Sequence, residues 1–133
     1  MNMSKFYDID LPFGEKYEDT LSALLTESIG SKIEVKTERD KWFATGNIYV
    51  ELACREAFSG LVSTKADWWA TILTLHGAVK GIVILPTNLM KQRVKALIKN
   101  KIAQYPISGG DDDASIGALI PIKELLYGNE YPE

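Results

Sequence analysis

Two short runs with the same alternation constrain this chain most: KIEVKTER at residues 32–39 and NIYVELAC at residues 47–54. In the first, Ile33 and Val35 fall on one side, with Glu34, Lys36 and Glu38 on the other. In the second, Ile48, Val50, Leu52 and Cys54 alternate with Asn47, Tyr49, Glu51 and Ala53. Successive side chains of a strand point to opposite faces, so both runs read as half-buried strands. The connecting DKWFATG is short and ends in Gly46, which predicts an antiparallel hairpin. Centred near Phe43, that hairpin sets Lys36 opposite Val50 or Glu51. Glu34, Lys36 and Glu51 then share one polar face.

Other segments follow the same logic. Residues 14–25 predict a helix whose stripe is Tyr17, Leu21, Leu24 and Leu25, with Glu18 on the border of that stripe and Glu15 further towards solvent. In SGLVSTKADWW, Ser63 or Thr64 offers a cap for a short helical turn. ATILTLHG and GIVILPT predict two buried strands, with His76 and Gly77 in the turn and Pro86 ending the second. Asn88 to Gln104 predicts a helix with Met90, Val94, Leu97, Ile98 and Ile102 on its apolar stripe. Lys91, Arg93, Lys95, Lys99 and Lys101 give that helix five positive charges and no acid. The tail carries a Gly/Asp loop with Asp111 to Asp113, an apolar run to Ile122 and a short terminal turn.

Composition narrows the function classes. A chain of 133 residues, 46% hydrophobic and 25% charged, suits one soluble domain. Cys54 is the only cysteine, so an intramolecular disulfide is excluded and a reducing cytoplasm is the expected compartment. No run approaches the roughly 18 apolar residues of a membrane span, and no signal peptide is recognisable. His76 is the only histidine, which argues against a zinc site. The net charge of −3 does not mark a nucleic-acid binder, so any such role rests on local charge.

Carboxylates gathered on one sheet face repel unless a cation neutralises them. Mg²⁺ suits such a site because it takes one or two carboxylates, keeps several waters and bridges to phosphate oxygens. A lysine beside it can hold the attacking water or screen charge growing on phosphorus. Cross-strand ion pairing of Lys36 with the glutamates explains the same residues without a metal, and both readings stand at this point. Two readings also stand for Lys65 with Ser63 and Thr64, and for Lys91 and Lys95: a phosphate-binding surface or a solvated one. Trp68 and Trp69 read as core or dimer-interface anchors before base-stacking platforms, and Asp111 to Asp113 as a solvated turn before a second acidic cluster near the site.

Four stretches carry a resemblance: Gly14-x-x-x-Glu18, Ile33-Glu34-Val35-Lys36-Thr37, Thr45-Gly46-Asn47-Ile48-Tyr49-Val50-Glu51, and Ser59-Gly60-x-x-Ser63-Thr64-Lys65-Ala66-Asp67-Trp68-Trp69. In this order they resemble the PD-(D/E)XK nuclease superfamily, with small phage-type members similar to Holliday-junction resolvases the nearest match. The likeness covers roughly residues 14–70 and, more loosely, the GGDDDASIGALIP tail. It implies an α/β fold with a mixed central sheet flanked by helices in the order αβββαβ. It further implies a Mg²⁺- or Mn²⁺-dependent endonuclease acting on DNA phosphodiesters, probing branched DNA as a homodimer and working in the cytoplasm, the host's if phage-encoded. By position, Glu34 matches an acidic metal ligand, Lys36 the catalytic lysine and Glu18 the helix glutamate of the resolvases. Where the superfamily has an aspartate on the strand before the ExK motif, this chain has none. Glu27 is the only acid in that interval, and the predicted hairpin offers Glu51 in its place. A nuclease-fold DNA-binding or structural protein without a complete metal site is the alternative expectation.

Overall fold

The computed structural model describes residues 18–23, 25–27, 30–109 and 114–127. The predicted Gly14, Glu15, Tyr17, Leu24 and Asp111 to Asp113 lie outside the described residues. The described chain is mixed α/β, and its strands fall into a three-stranded and a four-stranded sheet. It divides into two compact units, each drawn from two stretches of sequence. One takes in the described residues up to Ala44 together with Ala66–Pro86. The other takes in Thr45–Lys65 and the described residues from Thr87 onward. Among the described residues, no helix is long and apolar enough to cross a membrane.

The first unit opens with helix α1, residues 18–23 and 25–27. Its end is set by Gly30, whose φ of 75° lets its N–H reach back 2.8 Å to the Thr26 carbonyl. Strand β1 follows as Ile33–Arg39 and pairs in parallel with β4, Trp68–Leu75. β4 in turn pairs antiparallel with β5, Ala78–Pro86, giving the order β1-β4-β5. The β4–β5 link is a two-residue turn in which His76 and Gly77 have φ of 51° and 80°. Two consecutive left-handed residues match the right-handed twist of the flanking strands. Asp40 steadies the same end by accepting the His76 N–H at 2.8 Å.

The alternation predicted for β1 holds. Ile33 and Val35 are buried and form a core with Ala70 and Ile72, against which Leu21 and Leu25 of α1 pack. Removing each such aliphatic side chain from water contributes about 1.5–3 kcal/mol. The remaining strand expectation is met only in part: β4 is buried along most of its length, while β5 is half-buried to exposed. A central strand is covered on both faces and both edges, whereas a terminal strand is not.

The predicted hairpin does not form. β2, Asn47–Cys54, has the predicted bounds, yet it belongs to the four-stranded sheet β3-β2-β7-β6. Its partners are β3, Ala57–Phe58, and β7, Ser115–Pro121, both antiparallel. The intended turn folds instead as helix α2, Lys41–Thr45, whose Trp42 Nε1–H donates to the Thr74 carbonyl at 2.6 Å. Period-two patterning fixes which face a strand buries, but any strand with a matching apolar face can be its neighbour. β1 takes a parallel partner that a two-stranded meander cannot supply.

Helix α3, Thr87–Lys99, lies in the second unit and buries Met90, Val94 and Leu97 as predicted. It stops before Gln104 because Lys101 adopts φ 59°. The Lys101 N–H then bonds the Ile98 carbonyl at 3.0 Å and the Ile102 N–H the Leu97 carbonyl at 2.9 Å. That pair of reversed bonds is a Schellman ending. β6, Gln104–Gly109, pairs with β7, and α4, Ile122–Tyr127, closes the described chain. Arg93 ties the two helices through a 2.7 Å bond from its guanidinium to the Leu125 carbonyl. Ile48, Val50, Leu61, Met90, Leu97, Ile120 and Leu125 are all buried here.

The SGLVSTKADWW stretch also differs from expectation. Its helical turn runs through Ser63 and ends at Thr64 rather than following them, with the Thr64 N–H bonded to the Gly60 carbonyl at 3.1 Å. Trp68 and Trp69 already belong to β4. Gly60 has φ 54°, and a Cβ there meets the Glu51 backbone, so only glycine fits.

Candidate functional site

β1 presents Glu34 and Lys36 two residues apart on the face opposite Ile33 and Val35. Glu34 is half-buried and Lys36 exposed. In register, Glu34 lies beside Trp69 of β4, and Lys36 beside Thr71. The Lys36 ammonium reaches 6.0 Å from the centroid of the Trp69 ring. A cation over an indole face is attracted by the ring quadrupole, which restrains the ammonium while leaving it in contact with water.

Glu18 comes to this strand from α1. Burial pushes its carboxyl pKa up, while Thr37 and the positive charge of Lys36 pull it partly back and Asp19 adds a small upward push. The Thr37 hydroxyl is buried without a hydrogen-bond partner. The polar side chain and backbone of Thr37 nonetheless stand near enough to the Glu18 carboxyl to favour the ionised form. Thr37 belongs with Ile33 and Val35 on the face that α1 covers, while Glu34 and Lys36 lie on the other. β1 is the terminal strand of its sheet, and the Lys36 charge is felt by Glu18.

A raised carboxyl pKa means the folded protein prefers the protonated form. The stability this gives is complete below the ordinary glutamate range, near ~4.3, and is lost as pH rises through the raised value. Glu18→Gln therefore raises the Tm at pH 7, and the gain shrinks as pH falls towards 4. A thermal melt series across that range checks it. An unchanged or lowered Tm at pH 7 contradicts burial as the dominant influence.

Glu51, the predicted third carboxylate, is half-buried on β2 in the four-stranded sheet. The hairpin that was to carry it to Lys36 is absent, and the register places it beside Gly117 instead. Glu27 is exposed near the end of α1. Among the described residues, no group of three or more His, Cys, Asp or Glu side chains is placed to hold a metal ion. Ser63 and Lys65 are exposed and Thr64 half-buried in the turn before β4. On α3, Lys91 is half-buried and Lys95 exposed.

Trp69 and Thr37 escaped the sequence reading as site residues. Thr37 follows the ExK motif directly, so its proximity was available in the sequence. The Trp69–Lys36 contact required the parallel β1–β4 register, which no local pattern encodes. No known protein family, curated protein or solved structure matches this chain. The functional reading therefore rests on the residues themselves.

Proposed function

We propose that this protein is a metal-dependent endonuclease acting on DNA, with branched DNA as its preferred substrate. One observation carries the reading: Glu34 and Lys36 stand together on a terminal strand, with the Lys36 ammonium exposed and restrained over Trp69. The carboxylates at hand fit a hard divalent ion, since Mg²⁺ needs only one or two and completes its shell with water. Glu34 is the first ligand. Glu18, whose ionised form is penalised by burial, is the second group that a nearby cation relieves.

A Mg²⁺ or Mn²⁺ ion held by these carboxylates would supply positive charge that offsets the charge developing on the phosphate and makes water more acidic. Lys36 orients the attacking water and screens charge developing on the phosphoryl oxygens. Water adds to phosphorus and gives up a proton to solvent, the bond to the leaving sugar oxygen breaks, and that oxygen takes a proton from solvent. His76 takes no part, being an exposed turn residue on the β4–β5 hairpin. Lys65 with Ser63 and Thr64 forms the proposed contact to the DNA backbone, and a homodimer places two such sites on opposite strands.

A second reading is favoured by the placement of Glu51 beside Gly117 in the four-stranded sheet: a nuclease-like chain that binds DNA without a complete metal site. Calorimetric titration with Mn²⁺, in the presence of branched DNA, separates the two. Nuclease function requires metal uptake that Glu34→Gln weakens. Heat changes absent from the wild type, with DNA still bound, establish the non-catalytic reading instead.

A further inference from the structure

The lysines of α3 fall in a regular row. Lys91, Lys95 and Lys99 recur every four residues, one side of the helix, in steps of about 6 Å along its axis. They border a groove of about 540 Å³ in the second unit. Leu52, Leu61, Val94 and Ile98 line it from β2, the Gly60 turn and α3. Leu61 and Val94 are buried, whereas Val62 and Tyr105, which also line the groove, are 43% and 51% exposed. An apolar trough beside a row of cations is therefore open on the surface of this unit.

The occupant follows from that pairing. A single-headed aliphatic carboxylate can meet one ammonium and leaves the rest of the row unused. Single-stranded DNA carries a row of charges, but its bases bind by stacking on aromatic rings, and this lining is aliphatic apart from Tyr105. A strand-like peptide brings backbone N–H and C=O groups that aliphatic side chains cannot satisfy. A helix satisfies its own backbone, presents apolar residues along one stripe and repeats acids at i and i+4 with the same 6 Å rise as the lysines. We propose that this groove docks an acidic amphipathic helix of a partner protein. Val62 and Tyr105 flank its apolar stripe, and Lys91 and Lys95 pair with its carboxylates. None of Glu18, Glu34 and Lys36 takes part, so the inference does not depend on the nuclease reading.

The test uses the full chain and fluorescence anisotropy. The probe is a labelled designed helix of about 18 residues with Leu at i, i+3, i+4 and i+7 and Glu flanking that stripe. Its counterparts are the same helix with Lys for Glu, a single-stranded oligonucleotide of about 20 nucleotides, and dodecanoate. The acidic helix binds with a Kd in the micromolar range and weakens as salt rises from about 50 to about 200 mM. Lys91→Glu with Lys95→Glu weakens it about tenfold or more and confers binding of the lysine-bearing helix. Val62→Glu, at an exposed position where no cavity results, also weakens the acidic helix, with circular dichroism unchanged. The proposal is overturned if the acidic helix fails to bind, if the variants bind it as the wild type does, or if oligonucleotide or dodecanoate displaces it from the groove at lower concentration.

Discussion

On the proposed nuclease reading, cleavage of a four-way DNA junction in Mg²⁺ falls about 10²–10³-fold or more when Lys36 is replaced by Ala, the scale on which loss of one transition-state charge stabiliser acts. The fold withstands this change, because the Lys36 side chain is exposed and its truncation leaves no cavity. What is lost structurally is the contact with Trp69, worth about 0.5–1 kcal/mol at an exposed site. Glu34→Ala gives a comparable loss of cleavage for a different reason: it removes the carboxylate proposed to hold the metal. Junction binding, measured by mobility shift, stays near wild type in both variants, since neither residue is assigned to the DNA backbone. A panel of branched and linear DNAs, run with Mg²⁺ and with Mn²⁺, reports the outcome. Cutting that continues undiminished in both variants sinks the nuclease reading, whatever the metal titration shows.

How much of this was legible in the sequence depends on the range of the interaction concerned. The bounds of β2 and the buried faces of β1 and α3 follow from alternation and helical spacing, which are local and read directly. Glu34 and Lys36 share a face for the same reason. Strand pairing is not local. β1 looked like half of a hairpin because DKWFATG ends in glycine, yet those residues close a helix and β1 takes β4, more than thirty positions away, as its parallel neighbour. With the hairpin went the route that carried Glu51 to Lys36. Glu18 on the border of an apolar stripe was legible, but its approach to Thr37 and the Lys36 charge needs the packing of α1 on β1, which a wheel does not show. The end of α3 was missed because the Schellman ending at Lys101 uses a non-glycine residue in the left-handed region, where sequence offers no marker.

Trp69 is where fold and site meet, and truncating it has the largest structural effect expected in this unit. Its side chain is 3% exposed on β4, the strand that pairs with both β1 and β5. Trp69→Ala therefore costs about 3–5 kcal/mol in lost burial and in the cavity left behind. For a chain of this size that lowers the Tm by roughly 10 °C or more. Trp69→Phe separates packing from positioning. It retains an aromatic face for the Lys36 ammonium and most of the buried area, so the loss of stability drops to roughly a third. If the ring also positions Lys36, the Ala variant loses junction cleavage beyond its folded fraction, measured well below its Tm, and the Phe variant recovers most of it. Equal cleavage per folded molecule in both variants assigns Trp69 to the core alone. A Trp69→Ala protein that melts within about 2 °C of the wild type contradicts the packing argument itself.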